Sequence, residues 1–137
     1  MRWTNKYNID KGLAYAVMRD EYKLVGDISI TQLIRPAQVT GLLTQHKDEI
    51  VQDVSEGLWA MLGTAVHKVL SEGVEDSNLT LVTSIDSWVV SGTLDLLEDS
   101  TIKDYKVTSV WTYLLGDTKD WEAQLNGYAL LAQQNGI

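Results

Sequence analysis

The order in which strand and helix patterns follow one another is the strongest constraint on the fold of this chain. Three segments between residues 79 and 110, LTLVTSI, WVVSGTLDLL and TIKDYKVTSV, are rich in β-branched or aromatic residues and are separated by short polar breaks. Such segments predict a three-stranded antiparallel meander. Helical patterns lie on both sides of it, so the sequence predicts an α/β (α+β) fold whose small mixed central sheet is built on this meander and flanked by helices.

Four segments carry the apolar spacing of helices: Asp10 to about Glu21, residues 29–48 with a restart at Pro36, residues 55–72, and residues 119–134. We expect Gly73 to cap the third segment at its carboxyl end, and Asp117 or Thr118 to cap the fourth at its amino end. Pro36 is the only proline, and no repeat or low-complexity tract marks a linker. The sequence therefore predicts a single domain over residues 1–137.

Charge and cysteine content exclude several classes of site. The formal net charge is −8 and the sequence pI is about 4.5, opposite to the basic surface of a general nucleic-acid binder. No cysteine is present, which excludes disulfides, cysteine-ligated zinc and iron–sulfur clusters. Residues 51–100 hold nine acidic side chains and one basic one, so cation-binding chemistry is expected there. The chain has no long apolar run and no signal-peptide start, which predicts a cytoplasmic protein, in the host cytoplasm if viral, without membrane contact.

The second hairpin of the meander brings two carboxylates together. If it closes about its polar Asp99-Ser100 turn, Asp95 falls directly opposite Asp104. Like charges in a cross-strand pair are destabilising unless they share a cation or a proton. Lys106 lies on the same strand face as Asp104. This combination predicts a metal site with an adjacent cation, although Asp-x-Lys patterns also occur on solvated strand faces.

Four motifs occur in chain order: GTAVH ending at His67, SGTLD ending at Asp95, KDYK ending at Lys106, and QLNGY from Gln124 to Tyr128. Over about residues 29–137 this set resembles the RecB-type exonuclease domains of the PD-(D/E)xK nuclease superfamily, including CRISPR-associated and phage recombination exonucleases. The resemblance implies a restriction-endonuclease-like core, with residues 1–28 as a helical extension. It also implies a chain truncated after the last helix, where the family fold continues with another strand.

The resemblance further implies a metal-dependent DNA nuclease, an exonuclease that hydrolyses phosphodiester bonds in DNA recombination or repair. Mg²⁺ or Mn²⁺ would be bound by His67, Asp95, Asp104 and the backbone carbonyl of Tyr105. Asp95 and Asp104 would be catalytic together with Lys106. Because Arg35 stands where the iron–sulfur branch of the family has a cysteine, and no cysteine exists, no iron–sulfur cluster is expected.

Gln124 and Tyr128, four residues apart on one helical face, would contact the DNA backbone or support the active site. The alternative is that they belong to the packing stripe of their helix. Trp59 and Trp88 lie in patterns that predict core positions, whereas Trp111 is a possible DNA contact.

Two other functions remain open. An endonuclease specific for DNA structures or single strands would use the same residues, and a non-catalytic DNA-binding or interaction module derived from a nuclease would keep the fold alone. DNA is the expected partner in each case. A homo-oligomer or a recombination-protein partner is a further expectation, because 137 residues offer little material for gripping DNA.

Overall fold

The computed structural model describes residues 1–19, 23–116 and 118–137. In these residues the chain forms a mixed α/β structure of six helices and six strands, which confirms the predicted mixed architecture. In chain order they are β1 (Arg2–Thr4), α1 (Lys11–Met18), β2 (Ile28–Ser29), α2 (Ile30–Ile34), α3 (Ala37–Gln45), β3 (Val51–Asp53), α4 (Val54–Ser71), β4 (Ser77–Ile85), β5 (Trp88–Glu98), β6 (Thr101–Lys103), α5 (Val110–Leu114) and α6 (Lys119–Gln134).

The long strand β5 lies at the centre of the larger sheet. Leu96 pairs with Ser77 of β4 and also with Lys103 of β6, so these two strands lie on opposite edges of β5. Val90 likewise pairs with β4 on one edge and with the parallel strand β2 on the other. One edge of β5 is therefore covered by β4, and the other is shared by two short strands, β2 and β6.

The β5–β6 hairpin confirms the predicted register. Leu97 pairs with Ile102, and the turn consists of Asp99 and Ser100. Both turn residues have positive φ, 47° and 61°, as a two-residue type I′ turn requires. Turn chemistry therefore aligned this hairpin as the sequence predicted.

The prediction of a third strand over residues 101–110 is wrong beyond its first three residues. β6 ends at Lys103, so Asp104 lies one position past the ladder and does not form the predicted cross-strand pair with Asp95. The chain leaves the sheet because the Tyr105 amide N–H donates to Asp95 Oδ2 at 2.6 Å. A backbone donor bonded to a side chain is not available for a strand partner.

The predicted helical segments agree with the structure in the described residues. The Asp10 carboxylate caps α1 by accepting the amide N–H two residues later at 2.8 Å. Helix α1 ends at Met18, and the expected end near Glu21 lies outside the described residues, as does Asp117. Thr118 is the N-cap residue of α6, but its side chain makes no capping hydrogen bond.

Pro36 separates α2 from α3, as its position in the sequence predicts. Gly73 follows the last turn of α4 with φ of 76°, a conformation that glycine adopts without steric cost. Helix α2 begins with a capping box that the sequence analysis did not find, in which Ser29 and Gln32 bond each other's backbone amides. No helix in the described ranges is long and apolar enough to cross a membrane.

A second, two-stranded parallel sheet joins β1 to β3 and was not predicted. Asp53 fastens it, because its buried carboxylate accepts from the Thr4 hydroxyl at 2.8 Å and from the Lys6 amide at 2.9 Å. Its other oxygen caps α4 by accepting from Ser55. The expected helical extension over residues 1–28 thus contains a strand as well as α1.

The main core lies between β4–β5 and helices α2 and α6. Its buried members are Ile30, Leu81, Val90, Leu94, Tyr128, Leu131 and Ala132. The prediction that Trp59 and Trp88 belong to the core is wrong, since they are 73% and 55% exposed.

Candidate active site

A cavity of about 360 Å³ opens beside the part of β5 that lies between its two short partner strands. β2 pairs with Val90 and Ser91, and β6 pairs with residues 96–98. Among the described residues, no strand pairs with residues 92–95 along this edge. The gap leaves room for side chains from the neighbouring helices and from the segment after β6.

Six of the seven residues that the sequence analysis assigned to the site line this cavity: His67, Asp95, Asp104, Lys106, Gln124 and Tyr128. They come from α4, β5, the segment after β6, and α6. Residues as far apart in the chain as 67 and 128 are therefore brought to one place. The seventh, Tyr105, reaches the site through its backbone.

The first group of contacts joins α4 to β5. His67 Nδ1 lies 2.9 Å from Asp95 Oδ1, and the Tyr105 amide donates to the other oxygen of Asp95 at 2.6 Å. The rings of His67 and Tyr105 meet edge to face, with centroids 6.4 Å apart. Both oxygens of the Asp95 carboxylate are thus held, which fixes its orientation in the cavity.

The second group of contacts runs from the segment after β6 to α6. Lys106 Nζ lies 2.6 Å from Asp104 Oδ2 and donates to Gln124 Oε1 at 2.8 Å. Gln124 Nε2 in turn donates to the Tyr128 hydroxyl oxygen at 2.6 Å. Because an ammonium group can only donate, the amide oxygen of Gln124 must face Lys106 and its NH₂ must face Tyr128. The chain of contacts therefore specifies the position of the Lys106 ammonium.

Tyr128 belongs both to the core and to the cavity. Its predicted place at the site is therefore compatible with the alternative that it belongs to the packing stripe of its helix. Its side chain is 4% exposed and is a member of the core cluster. Burial raises the pKa of the Tyr128 hydroxyl above its ordinary value, so the phenol is neutral at physiological pH as an ordinary tyrosine is. A neutral phenol accepts from Gln124 and still has a hydrogen to donate.

The closeness of α6 to β5 depends on glycine. A Cβ atom added to Gly92 would lie 2.8 Å from both Leu131 Cδ1 and Tyr128 Cε1. One added to Gly127 would lie 2.6 Å from Ile30 Cγ2 on α2. Both glycines stand inside the motifs of the sequence analysis, and their role is to let α6 pack tightly enough for Gln124 to reach Lys106.

The donor atoms match a hard divalent cation only in part. Carboxylate and carbonyl oxygens are the ligands that Mg²⁺ and Mn²⁺ prefer. Within the described ranges, however, no group of three or more His, Asp or Glu side chains is placed to hold a metal ion. Asp95 and Asp104 retain lone pairs for a cation, because a carboxylate has about four acceptor sites. His67 would first have to turn its Nδ1 away from Asp95.

The cavity also has lining residues that the sequence analysis missed. Lys23 and Val25 reach it from the segment before β2, and Thr80 and Thr93 reach it from β4 and β5. Thr93 stands inside the SGTLD motif without having been assigned to the site, and no motif marks Lys23, Val25 or Thr80. Trp111, the possible DNA contact, is 66% exposed on α5 and does not line the cavity.

No protein-family model, no curated protein and no solved structure matches this chain.

Proposed function

We propose that this chain is a metal-dependent DNA nuclease with a restriction-endonuclease-like core, and that it acts as an exonuclease in recombination or repair. One observation carries the proposal: six residues taken from four separate motifs all line a single cavity. A packing stripe or a solvated strand face would not bring a histidine, two carboxylates, a lysine and a glutamine together. This combination suits phosphodiester hydrolysis.

Asp95 and Asp104 are the residues that would hold Mg²⁺ or Mn²⁺. The backbone carbonyl of Tyr105, and His67 after a rotation of its ring, would complete the protein ligands. When bound, such an ion supplies a water molecule of lowered pKa and a positive charge beside the phosphate. No iron–sulfur cluster has a place in this proposal, because the sequence contains no cysteine.

Lys106 supplies the cationic group of the proposed reaction. Its ammonium donates to Gln124 Oε1 at 2.8 Å and forms an ion pair with Asp104, with Nζ and Oδ2 2.6 Å apart. Because an ammonium has three hydrogens, it can also donate to a phosphate oxygen or to the attacking water. Gln124, itself bonded to Tyr128, acts as a positioning residue for the ammonium.

Incubation with Mn²⁺ and end-labelled linear DNA, with closed circular DNA in parallel, tests the proposal. We expect linear DNA to be degraded from its ends and closed circular DNA to resist. Asp104→Asn and Lys106→Ala should each lower the cleavage rate by at least about a hundredfold, with an unchanged circular-dichroism spectrum. Lys103→Ala is a matched control, because Lys103 pairs with exposed Glu98 on the hairpin and does not line the cavity.

Three results would correct the proposal in different ways. Cleavage of closed circular DNA by the same residues would show an endonuclease. Failure of the wild-type protein to cleave any DNA would favour the non-catalytic module. Full activity of Asp104→Asn would show that the site lies elsewhere. The homo-oligomer or recombination-protein partner stays a prediction.

A further inference from the structure

The charged groups that line the cavity differ in whether they have hydrogen-bond or ion-pair partners. Asp95 bonds His67, and Asp104 forms an ion pair with Lys106. Lys23 also lines the cavity but has no hydrogen bond or ion pair in the described part of the chain. A cation that faces a cavity without a carboxylate partner has its charge available for an anionic ligand.

The segment that carries Lys23 is fastened to the sheet. Four residues later, the Asp27 amide donates to the Val89 carbonyl at 2.8 Å, and the Val89 amide donates back to Asp27 Oδ2 at 2.8 Å. Gly26, which directly precedes Asp27, has φ of 80°, and a Cβ atom there would lie 2.7 Å from the Val89 carbonyl oxygen. Only glycine fits this position, so the approach of the segment to β5 is specified.

A pair of hydroxyl groups lies on another wall of the same cavity. Thr80 and Thr93 are directly opposite each other in the β4–β5 ladder, with their Oγ1 atoms 2.9 Å apart. Because only one hydrogen is used between two hydroxyls, the other is free to donate to a ligand. Thr93 shares its strand face with Asp95, two residues along β5, so this donor and the proposed catalytic carboxylate face the same side.

We propose that Lys23, together with the Thr80 and Thr93 hydroxyl groups, binds a second phosphate of the DNA strand, next to the one that is cleaved. This inference rests on the proposed function, and it names the part of the substrate that these residues recognise. An unpaired ammonium and a hydroxyl donor are the groups that commonly contact backbone phosphates. They also give a chain of net charge −8 a local means of attracting DNA.

Equilibrium binding separates this inference from catalysis. The affinity of a short fluorescein-labelled DNA duplex is measured by fluorescence anisotropy in EDTA, where no divalent ion supports cleavage. Neutralising one phosphate contributes a slope of about −0.9 to log K against log salt, so between about 50 and 200 mM salt wild type should lose about 3.5-fold more affinity than Lys23→Ala. Lys23→Arg should retain the wild-type slope.

Two further variants make the test specific. Thr93→Val keeps the shape of the side chain but removes a hydroxyl group, so the affinity should fall at every salt concentration with the slope unchanged. Lys47→Ala is the matched control, because Lys47 is exposed and does not line the cavity. It should leave both affinity and slope unchanged.

An unchanged salt slope in Lys23→Ala, or one that changes equally in Lys47→Ala, would overturn the inference. So would the absence of any DNA binding by the wild-type protein. DNA binding that depends on Lys23 without cleavage would support this inference and refute the nuclease. Cleavage by the wild-type protein, with no effect of Lys23→Ala on binding, would support the nuclease and refute this inference.

Discussion

Replacement of Gly92 by alanine tests the contact on which the site depends, the packing of α6 against β5. The added Cβ atom would lie 2.8 Å from Leu131 Cδ1 and 2.8 and 2.9 Å from two ring carbons of Tyr128. Carbon atoms pack best at about 3.5–4.0 Å, so each contact is about 0.6–1.2 Å too short. Leu131 is 0% and Tyr128 is 4% exposed, and neither can move aside into solvent.

The expected cost follows from two opposing effects. Overpacking of a well-packed core costs about 1–3 kcal/mol, whereas alanine in a strand is preferred over glycine by about 0.5–1 kcal/mol. Because both clashing partners are buried, Gly92→Ala falls in the upper half of the overpacking range, about 2–3 kcal/mol, and the net loss in the free energy of unfolding should be about 1–2.5 kcal/mol. For a domain of this size that corresponds to a fall in Tm of about 4–8 °C. Displacement of α6 should also move Gln124 away from Lys106 and slow DNA cleavage.

Thermal and urea unfolding, followed by circular dichroism, measure this effect. Gly63→Ala is the matched control, since Gly63 lies inside α4 and no atom beyond its chain neighbours and the backbone of that helix would come within 4 Å of the new Cβ. Alanine should stabilise that helix by up to about 1 kcal/mol. If Gly92→Ala is as stable as wild type, or is stabilised like Gly63→Ala, α6 does not press on β5 and the described cavity is wrong.

Three other variants test separate parts of the structure. The Lys6 amide, followed by hydrogen bonds from Ser55, holds the pKa of Asp53 well below its ordinary value despite burial. The stability that Asp53 provides is therefore complete above its unfolded pKa of about 4 and is lost as pH falls through its pKa in the folded protein. Urea unfolding measured against pH should show a steeper loss of stability in acid for wild type than for Asp53→Asn, and parallel curves would contradict this. Leu94→Ala should cost about 2–5 kcal/mol in urea unfolding, because Leu94 is 0% exposed in the main core, and a cost below that range would place it outside the core. Gln124→Met should slow cleavage by about tenfold to a hundredfold because it releases Lys106, whereas DNA affinity and Tm should not change. Parallel losses in cleavage rate, DNA affinity and Tm would indicate a purely structural role.

Local signals made part of this structure predictable. The polar Asp99-Ser100 turn set the β5–β6 register, because only a short turn with two residues of positive φ closes that hairpin symmetrically. The helices followed from apolar spacing and from caps such as Asp10. Six motif residues from His67 to Tyr128 line one cavity, and those on α4, β5 and α6 stand on elements whose type the pattern predicted, whereas Asp104 and Lys106 follow β6 outside any strand.

Long-range contacts account for what was missed. The third strand was overextended because β-branched residues favour a strand, whereas the Tyr105 amide bonds the side chain of Asp95 instead of a neighbouring strand. The strands β1 and β3 are three residues each and pair across 49 positions of the chain, too short for any periodicity to appear. Lys23 enters the cavity through a contact between Asp27 and Val89, which lie 62 residues apart.

The expected metal site and the described geometry differ in two respects: Asp104 does not pair across the strands with Asp95, and His67 contacts that carboxylate. The resemblance implied His67 as one of the metal ligands, yet its Nδ1 lies 2.9 Å from Asp95 and holds that carboxylate. A histidine in this position orients a ligand as readily as it acts as one. The proposal therefore depends on the two carboxylates first and on His67 second.

The most direct test is to locate the cation itself. Crystals soaked with Mn²⁺ should show one anomalous difference peak within bonding distance of the Asp95 and Asp104 carboxylates, and the peak should disappear in Asp104→Asn crystals. Absence of a peak at these carboxylates, or an identical peak in the Asp104→Asn protein, would contradict the proposed metal-dependent nuclease site.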